Sequence, residues 1–166
     1  MNQSIQSIQL INSVTNKLTD NIEQISEESQ NSVYEGFRFR LKSKTYRSRL
    51  AKKTPTKKGY FVAFWGKDSQ GKNKPFDYDS SPDFLIINMI DSDNKGQFVF
   101  PKAILAQKKI LVSPNSKGKM ALRIYPDWIK ELNKTALKTQ QWQKSHFIDL
   151  SKDLIDYAKV QQLYTS

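Results

Sequence analysis

From Phe37 to Lys42, apolar and basic residues alternate one for one, with Phe37, Phe39 and Leu41 set against Arg38, Arg40 and Lys42. The stretch TYRSRLAKK that follows alternates again, Tyr46, Ser48 and Leu50 against Arg47 and Arg49. A period of two puts alternate side chains on opposite faces of a strand, so both stretches predict half-buried strands with one face on a core and the other basic. Upstream, Ile5, Ile8, Ile11, Val14, Leu18, Ile22 and Ile25 recur every three or four residues. That spacing marks one face of a helix and predicts a helical region over 1–31, packed on the sheet. Asp20-x-x-Glu23 after Thr19 has the form of a capping box that would divide it in two. The same apolar face spans about three heptads, which also suits an oligomerising coiled coil.

Further along, YFVAFW (60–65) and DFLIINMID (83–91) are apolar nearly throughout and predict buried strands, the first of them central. A turn over Asp91–Gly96 leads into the strand GQFVFP, and Pro101 can open a short helix through KAILAQKK. After the turn at Lys117-Gly118, ALRIY reads as the last strand, and helices follow over 127–147 and 151–163, with Asn133 and Ser151 as caps. The expectation is one domain over 1–166: a helical region 1–31, a sheet drawn from 37–125 and C-terminal helices within 127–163. Its class is α/β, more closely an α+β mixed sheet flanked by helices.

Composition narrows the chemistry. The 166 residues contain no cysteine, which excludes disulfides and thiolate zinc sites. The N-terminal stretch has no basic segment leading an apolar run, and no 18-residue apolar stretch follows anywhere, so the reading is a cytoplasmic protein with no membrane partner. The formal net charge is +11 and very uneven. Residues 1–35 hold one base, Lys17, against five acids, whereas Gly36–Tyr60 hold ten bases and no acid. Such asymmetry is the footprint of a polyanion partner, here nucleic acid, DNA ahead of RNA. The competing readings are a solvated basic surface and a face for an acidic protein partner.

The candidate contacts are Arg38, Arg40, Arg47 and Arg49 on the two strands, together with the loop KKTPTKKG. Arginine's planar fork binds two phosphate oxygens at once. In the loop, Lys52, Lys53, Lys57 and Lys58 surround Thr54 and Thr56, and ammonium groups beside hydroxyls form a phosphate clamp. It lacks the GxxxxGK[ST] spacing of a P-loop. The loop GKDSQGKNKPFDYDSSP between two strands is long enough to be a functional element.

The segments AKKTPTKKGYFVAFW, PFDYDSSPDFLIINM, GQFVFPKAIL, IYPDW and KTQQWQKSHF, collinear over Tyr34 to Phe147, resemble the MepB family. The resemblance implies a restriction-endonuclease-like three-layer core and, by analogy, a nucleic-acid ligand. Nucleases of that fold, the PD-(D/E)xK type, gather an acid from the first helix, an Asp at a strand start and an acid-x-Lys pair around Mg²⁺. The matching positions are Glu28, with Glu35 as an alternative, Asp83 as metal ligand, and Lys102. The sequence departs from the nuclease pattern at its third part: Asp93-Asn94-Lys95 is spelled correctly but lies in a turn, and the strand after it offers Gln97-Phe98-Val99. A Mg²⁺-dependent, degenerate nuclease is therefore the alternative to a nucleic-acid-binding protein, and a regulatory protein-interaction module is the third reading. Asp77, Asp79 and Asp83 could equally serve turn chemistry. His146, the one histidine, is expected in packing or on the surface, and with no other His or Cys neither a triad nor a transition-metal cluster can be assembled. Trp65, Trp128 and Trp142 are expected in or at the rim of the core, base stacking being the lesser reading.

Overall fold

The computed structural model describes residues 5–151 and 155–165. In chain order they form α1 (Ile5–Thr15), β1 (Glu23–Glu27), β2 (Phe37–Leu41), β3 (Lys44–Leu50), β4 (Lys52–Lys53), β5 (Tyr60–Ala63), β6 (Gly66–Lys67), β7 (Asn73–Lys74) and β8 (Phe84–Asp91). Then come β9 (Asn94–Pro101), α2 (Lys102–Gln107), β10 (Val112–Ser113), β11 (Ser116–Lys117), β12 (Ala121–Ile124), α3 (Lys134–Gln143), β13 (Phe147–Asp149) and α4 (Tyr157–Thr165). Six strands make a mixed sheet in the order β1-β2-β3-β8-β9-β13. Within it β3 and β8 run parallel and the other neighbours antiparallel, which is the expected α+β arrangement.

A parallel pair needs a crossover, and this one runs from Ala51 to Asp83 over one face of the sheet. It lays down β4 and β5, which β12 joins to form a second, three-stranded sheet in the order β12-β5-β4. Alternation along the strands then builds two cores back to back. On one face Phe37, Phe39, Tyr46, Phe84, Ile86, Val99 and Ile148 pack with Leu10, Ile11 and Val14 of α1 and Val160, Leu163 and Tyr164 of α4. On the other, Leu85, Ile87, Met89, Phe98, Phe100 and Phe147 pack with Tyr60, Val62 and Phe64 from the small sheet, Leu105 of α2 and Ile124 of β12. Among the described residues no helix is long and apolar enough to cross a membrane.

Several elements depart from the sequence reading. The helical region ends far short of residue 31, because Thr19 takes the left-handed conformation with φ 59°. Asp20 makes an ion pair with Lys42 at 3.1 Å in place of a capping box, and Glu23–Glu27 pairs with β2 as an edge strand. Ile22 and Ile25 still reach the first core; a spacing of three would put them on opposite faces of a regular strand, but the pairing of β1 with β2 shifts register between Glu23 and Ser26, where Gln24 takes φ 54°. Residues 1–4 of the same predicted region lie outside the described residues.

At the other end, Pro126–Asn133 is not helical, and α3 starts where Asn133 Oδ1 accepts a hydrogen bond from Ala136 N at 2.8 Å, as its capping role predicts. Phe147, the last residue of the predicted helix 127–147, instead opens β13, which pairs with β9. Ser151 ties to the backbone of Lys95; residues 152–154 of that predicted element lie outside the described residues, and its described helix, α4, begins at Tyr157. YFVAFW is central, but in the small sheet.

Candidate functional site

Arg47 and Arg49 stand on β3 opposite Leu85 and Ile87, which turns them toward the crossover layer. They are 6% and 0% exposed, so they do not form the basic face that the alternation predicted. Burying a guanidinium is tolerable only with a partner, and Glu28 supplies it. The chain enters this position through a backbone bond from Glu28 N to Gly36 O at 2.8 Å. The Glu28 carboxylate then accepts from Arg49 Nη1 at 2.7 Å and from Arg47 Nε at 3.0 Å. Asn31 Oδ1 accepts from Arg49 Nη2 at 2.6 Å and Nε at 3.1 Å, and the Phe76 ring lies 3.5 Å from the Arg47 guanidinium carbon. A Cβ on Gly36 would stand 2.9 Å from Arg49 Nη1, so only glycine lets the chain pass this close.

Burial pulls Arg49 down to about 10, against the pull of Glu28, and leaves it charged at neutral pH. Burial alone would raise the Glu28 carboxyl, but the charges of Arg49 and Arg47 outweigh it and hold Glu28 below the usual carboxylate range. The cluster is a salt-bridged knot between β1, β3 and the crossover.

The three residues matched to a nuclease centre are each engaged elsewhere. Glu28 belongs to the knot. Asp83 Oδ2 accepts from Thr45 N at 2.9 Å and from Thr45 Oγ1 at 3.1 Å, which fixes the start of β8 beside the start of β3. Lys102 Nζ lies 4.5 Å from the centroid of the Tyr78 ring. Glu35, the alternative acid, is buried and accepts from Ser7 N at 2.9 Å. Among the described residues no three acidic or histidine side chains converge to hold a metal ion. A dication at Glu28 would also face two guanidinium groups, so these donors do not fit a Mg²⁺ centre. Asp77 accepts from Ser80 N and Oγ, which is turn chemistry, and its carboxyl is lowered first by that hydroxyl bond. His146 is half-buried, its ring 5.5 Å from that of Phe100.

The bases that do meet solvent are Arg38, Lys52, Lys53, Lys57 and Lys58, with Arg40 half-exposed and Thr54 and Thr56 in the same loop. Arg38 lies across from Arg47 on the large sheet, whereas Lys52–Lys58 joins β4 to β5 in the small one, so the predicted basic strands and basic loop are not one row. Lys53 sits 3.4 Å from Asp91 Oδ2.

The loop is clamped from below. Arg123 on β12 donates through Nη1 to Lys58 O and through Nη2 to Thr54 Oγ1, both at 3.0 Å. Lys58 Nζ donates to the carbonyls of Lys130 and Glu131, both at 2.9 Å. Gly59 turns the chain into β5 at φ +84°. Two clefts flank this clamp and share Arg123 and Tyr125. One of about 480 Å³ runs between Lys57, Lys58 and the start of α3. The other, about 290 Å³, is bordered by Lys108 and Lys119. Sequence reading missed Lys108, Lys119 and Arg123, since they lie in segments remote from the loop and approach it only through the pairing of β5 with β12; the basic residue on an outward position of ALRIY was the one signal that could have found Arg123.

A family model for MepB-like proteins matches residues 28–149. The chain belongs to the MepB-like family. The crystal structure of MepB superposes on it with a TM-score of 0.78 at 46% sequence identity, over 80% of this chain and 89% of that one. No curated protein matches the sequence. The stretch matched by the MepB-like model begins at Glu28 of the knot and ends with β13, so it takes in the large sheet from β2 onward, the small sheet and the clamped loop, and leaves α1 and α4 outside.

Proposed function

We propose that this MepB-like chain binds nucleic acid through the Lys52–Lys58 loop and the two basic clefts beside it. One observation carries the reading: Arg123 and Lys58 hold the loop rigid, so that Lys52 and Lys57 stand in solvent in a run without a single acid, and the cleft that Lys57 lines shares Arg123 and Tyr125 with the cleft bordered by Lys108 and Lys119. Cations fixed before binding lose less conformational freedom when a phosphate arrives than cations on a mobile tail. Cations of this type position a protein on the sugar-phosphate backbone without reading bases.

The test is fluorescence anisotropy of labelled oligonucleotides over a range of salt. Each phosphate left without its cation lowers the slope of log affinity against log salt by about 0.7 on a single strand and about 0.9 on a duplex. Lys57→Ala combined with Lys119→Ala should therefore weaken binding and flatten the salt dependence by roughly 1.4 to 1.8. An affinity and slope equal to those of the unchanged protein would remove the loop and clefts from the site.

A further inference from the structure

We infer that the solvent face of the small sheet is a stacking platform for the bases of a single-stranded nucleic acid, an inference that rests on the nucleic-acid reading above and gives that ligand its form. Along β5, Tyr60 and Val62 point into the core, and Phe61 and Ala63 point out. The register sets Lys52 and Arg123 on either side of Phe61, and Ala121 beside Ala63. The result is a cross-strand row of cation, ring and cation above a flat patch of alanines. The Tyr34 ring stands edge-on to Phe61 with centroids 6.1 Å apart. Arg123 lies 5.9 Å from the Phe61 centroid, Lys52 Nζ lies 5.9 Å from that of Tyr34, and Lys67 Nζ lies 4.9 Å from that of Trp65.

These rings are half-buried, Tyr34 with one side against the second core, and Val33 beside it is 65% exposed. The platform is also braced from within. Asn31 Oδ1, already bonded to Arg49, accepts from Trp65 N at 3.1 Å. The buried knot thereby ties the segment carrying Tyr34 to the end of β5. Aromatic faces take bases of any sequence, and a cation beside each ring can take the phosphate that follows. A duplex keeps its base faces stacked inside and can use only the cations.

The test compares a single-stranded DNA, a single-stranded RNA, the matching duplex and an abasic strand, each titrated against the full chain at one ionic strength. Phe61→Leu and Tyr34→Leu keep apolar bulk at the surface and remove the ring; each should weaken binding to base-bearing single strands about tenfold and leave the duplex and the abasic strand unchanged. Lys57→Ala should weaken all four. Independently of any folding defect in those variants, base-bearing strands should quench the fluorescence of the unchanged protein, and Trp65→Phe should remove most of that quenching. Unchanged single-strand affinity in both Leu variants, or equal affinity for abasic and base-bearing strands, would overturn the platform; weaker binding by Lys57→Ala in the same titrations would show that the nucleic-acid reading stands without it. Absence of binding to every strand at low salt would overturn both.

Discussion

Two guanidinium groups converge on the single carboxylate of Glu28, and one of them, on Arg49, has no exposed surface at all. Removing that carboxylate leaves buried charge without a partner, so Glu28→Gln should cost roughly 3–5 kcal/mol in urea unfolding. The solvent-exposed pair of Lys53 with Asp91 sets the contrast: Lys53→Ala should cost less than about 1 kcal/mol in the same assay. The sign of the pH dependence follows from Glu28 being held below its ordinary value of 4.5. As pH falls past 4.5 the unfolded chain takes up the proton before the folded one, so this part of the stability is present above that pH and lost on further acidification. Unfolding midpoints measured from about pH 6 downward should fall steeply and should fall less in Glu28→Gln. None of this pairing was legible in the alternation of Arg47 and Arg49 with Tyr46 and Ser48. Alternation says that a strand has two unlike faces; what covers each face is set by segments far away.

Among the elements, the β4–β5 loop depends on Gly59. A Cβ there would meet the Tyr125 ring at 2.7 Å and Ile124 O at 2.9 Å, at a φ that side chains avoid. Gly59→Ala should lower stability by about 1–3 kcal/mol and speed amide hydrogen exchange from Thr54 to Lys58. Helix α4 depends on a buried polar chain. Tyr164 donates from its hydroxyl to Gln97 Oε1 at 2.6 Å, Gln97 Nε2 donates to Asn88 Oδ1 at 2.9 Å, and Asn88 Nδ2 donates to Ser48 Oγ at 2.9 Å. Tyr164→Phe strands Gln97 Oε1 in the core and should cost about 1–3 kcal/mol, read from a thermal or urea transition. Strands β2, β3, β8, β9 and β12 were legible because their patterns are local. The edge strand β1 and strand β13 were not, since Ile22 and Ile25 keep a helical spacing and share a core only through the shifted register of β1, and Phe147-Ile148 is too short to show a period.

At the scale of the molecule, the +11 charge divides into Arg47 and Arg49, which hold the interior, and bases that face water, Arg38 and the lysines of the Lys52–Lys58 loop among them. Only the second group can contribute to an association rate or to a salt-dependent affinity. Arg47→Lys, which keeps the charge but loses the fork that meets Glu28, should therefore lower stability and leave the salt slope of oligonucleotide binding as it was, whereas Lys57→Ala should do the reverse. Urea unfolding and anisotropy on the same two preparations separate the roles.

Local pattern alone was sufficient for the class of fold, most of the sheet, the basic run and the family, because strand alternation, turn residues and motif spelling are carried within a few residues of one another. Tertiary structure alone decided which charges are open to a ligand. Burial of a strand's second face depends on where the crossover is laid, and that placed Arg47 and Arg49 inside with Glu28. The clamp on the basic loop is likewise a long-range product, joining Lys58 to Arg123 across 65 residues of sequence. So are the half-buried rings of Tyr34, Phe61 and Trp65, which share one surface only because Asn31 and the β4–β5–β12 register bring separate segments together.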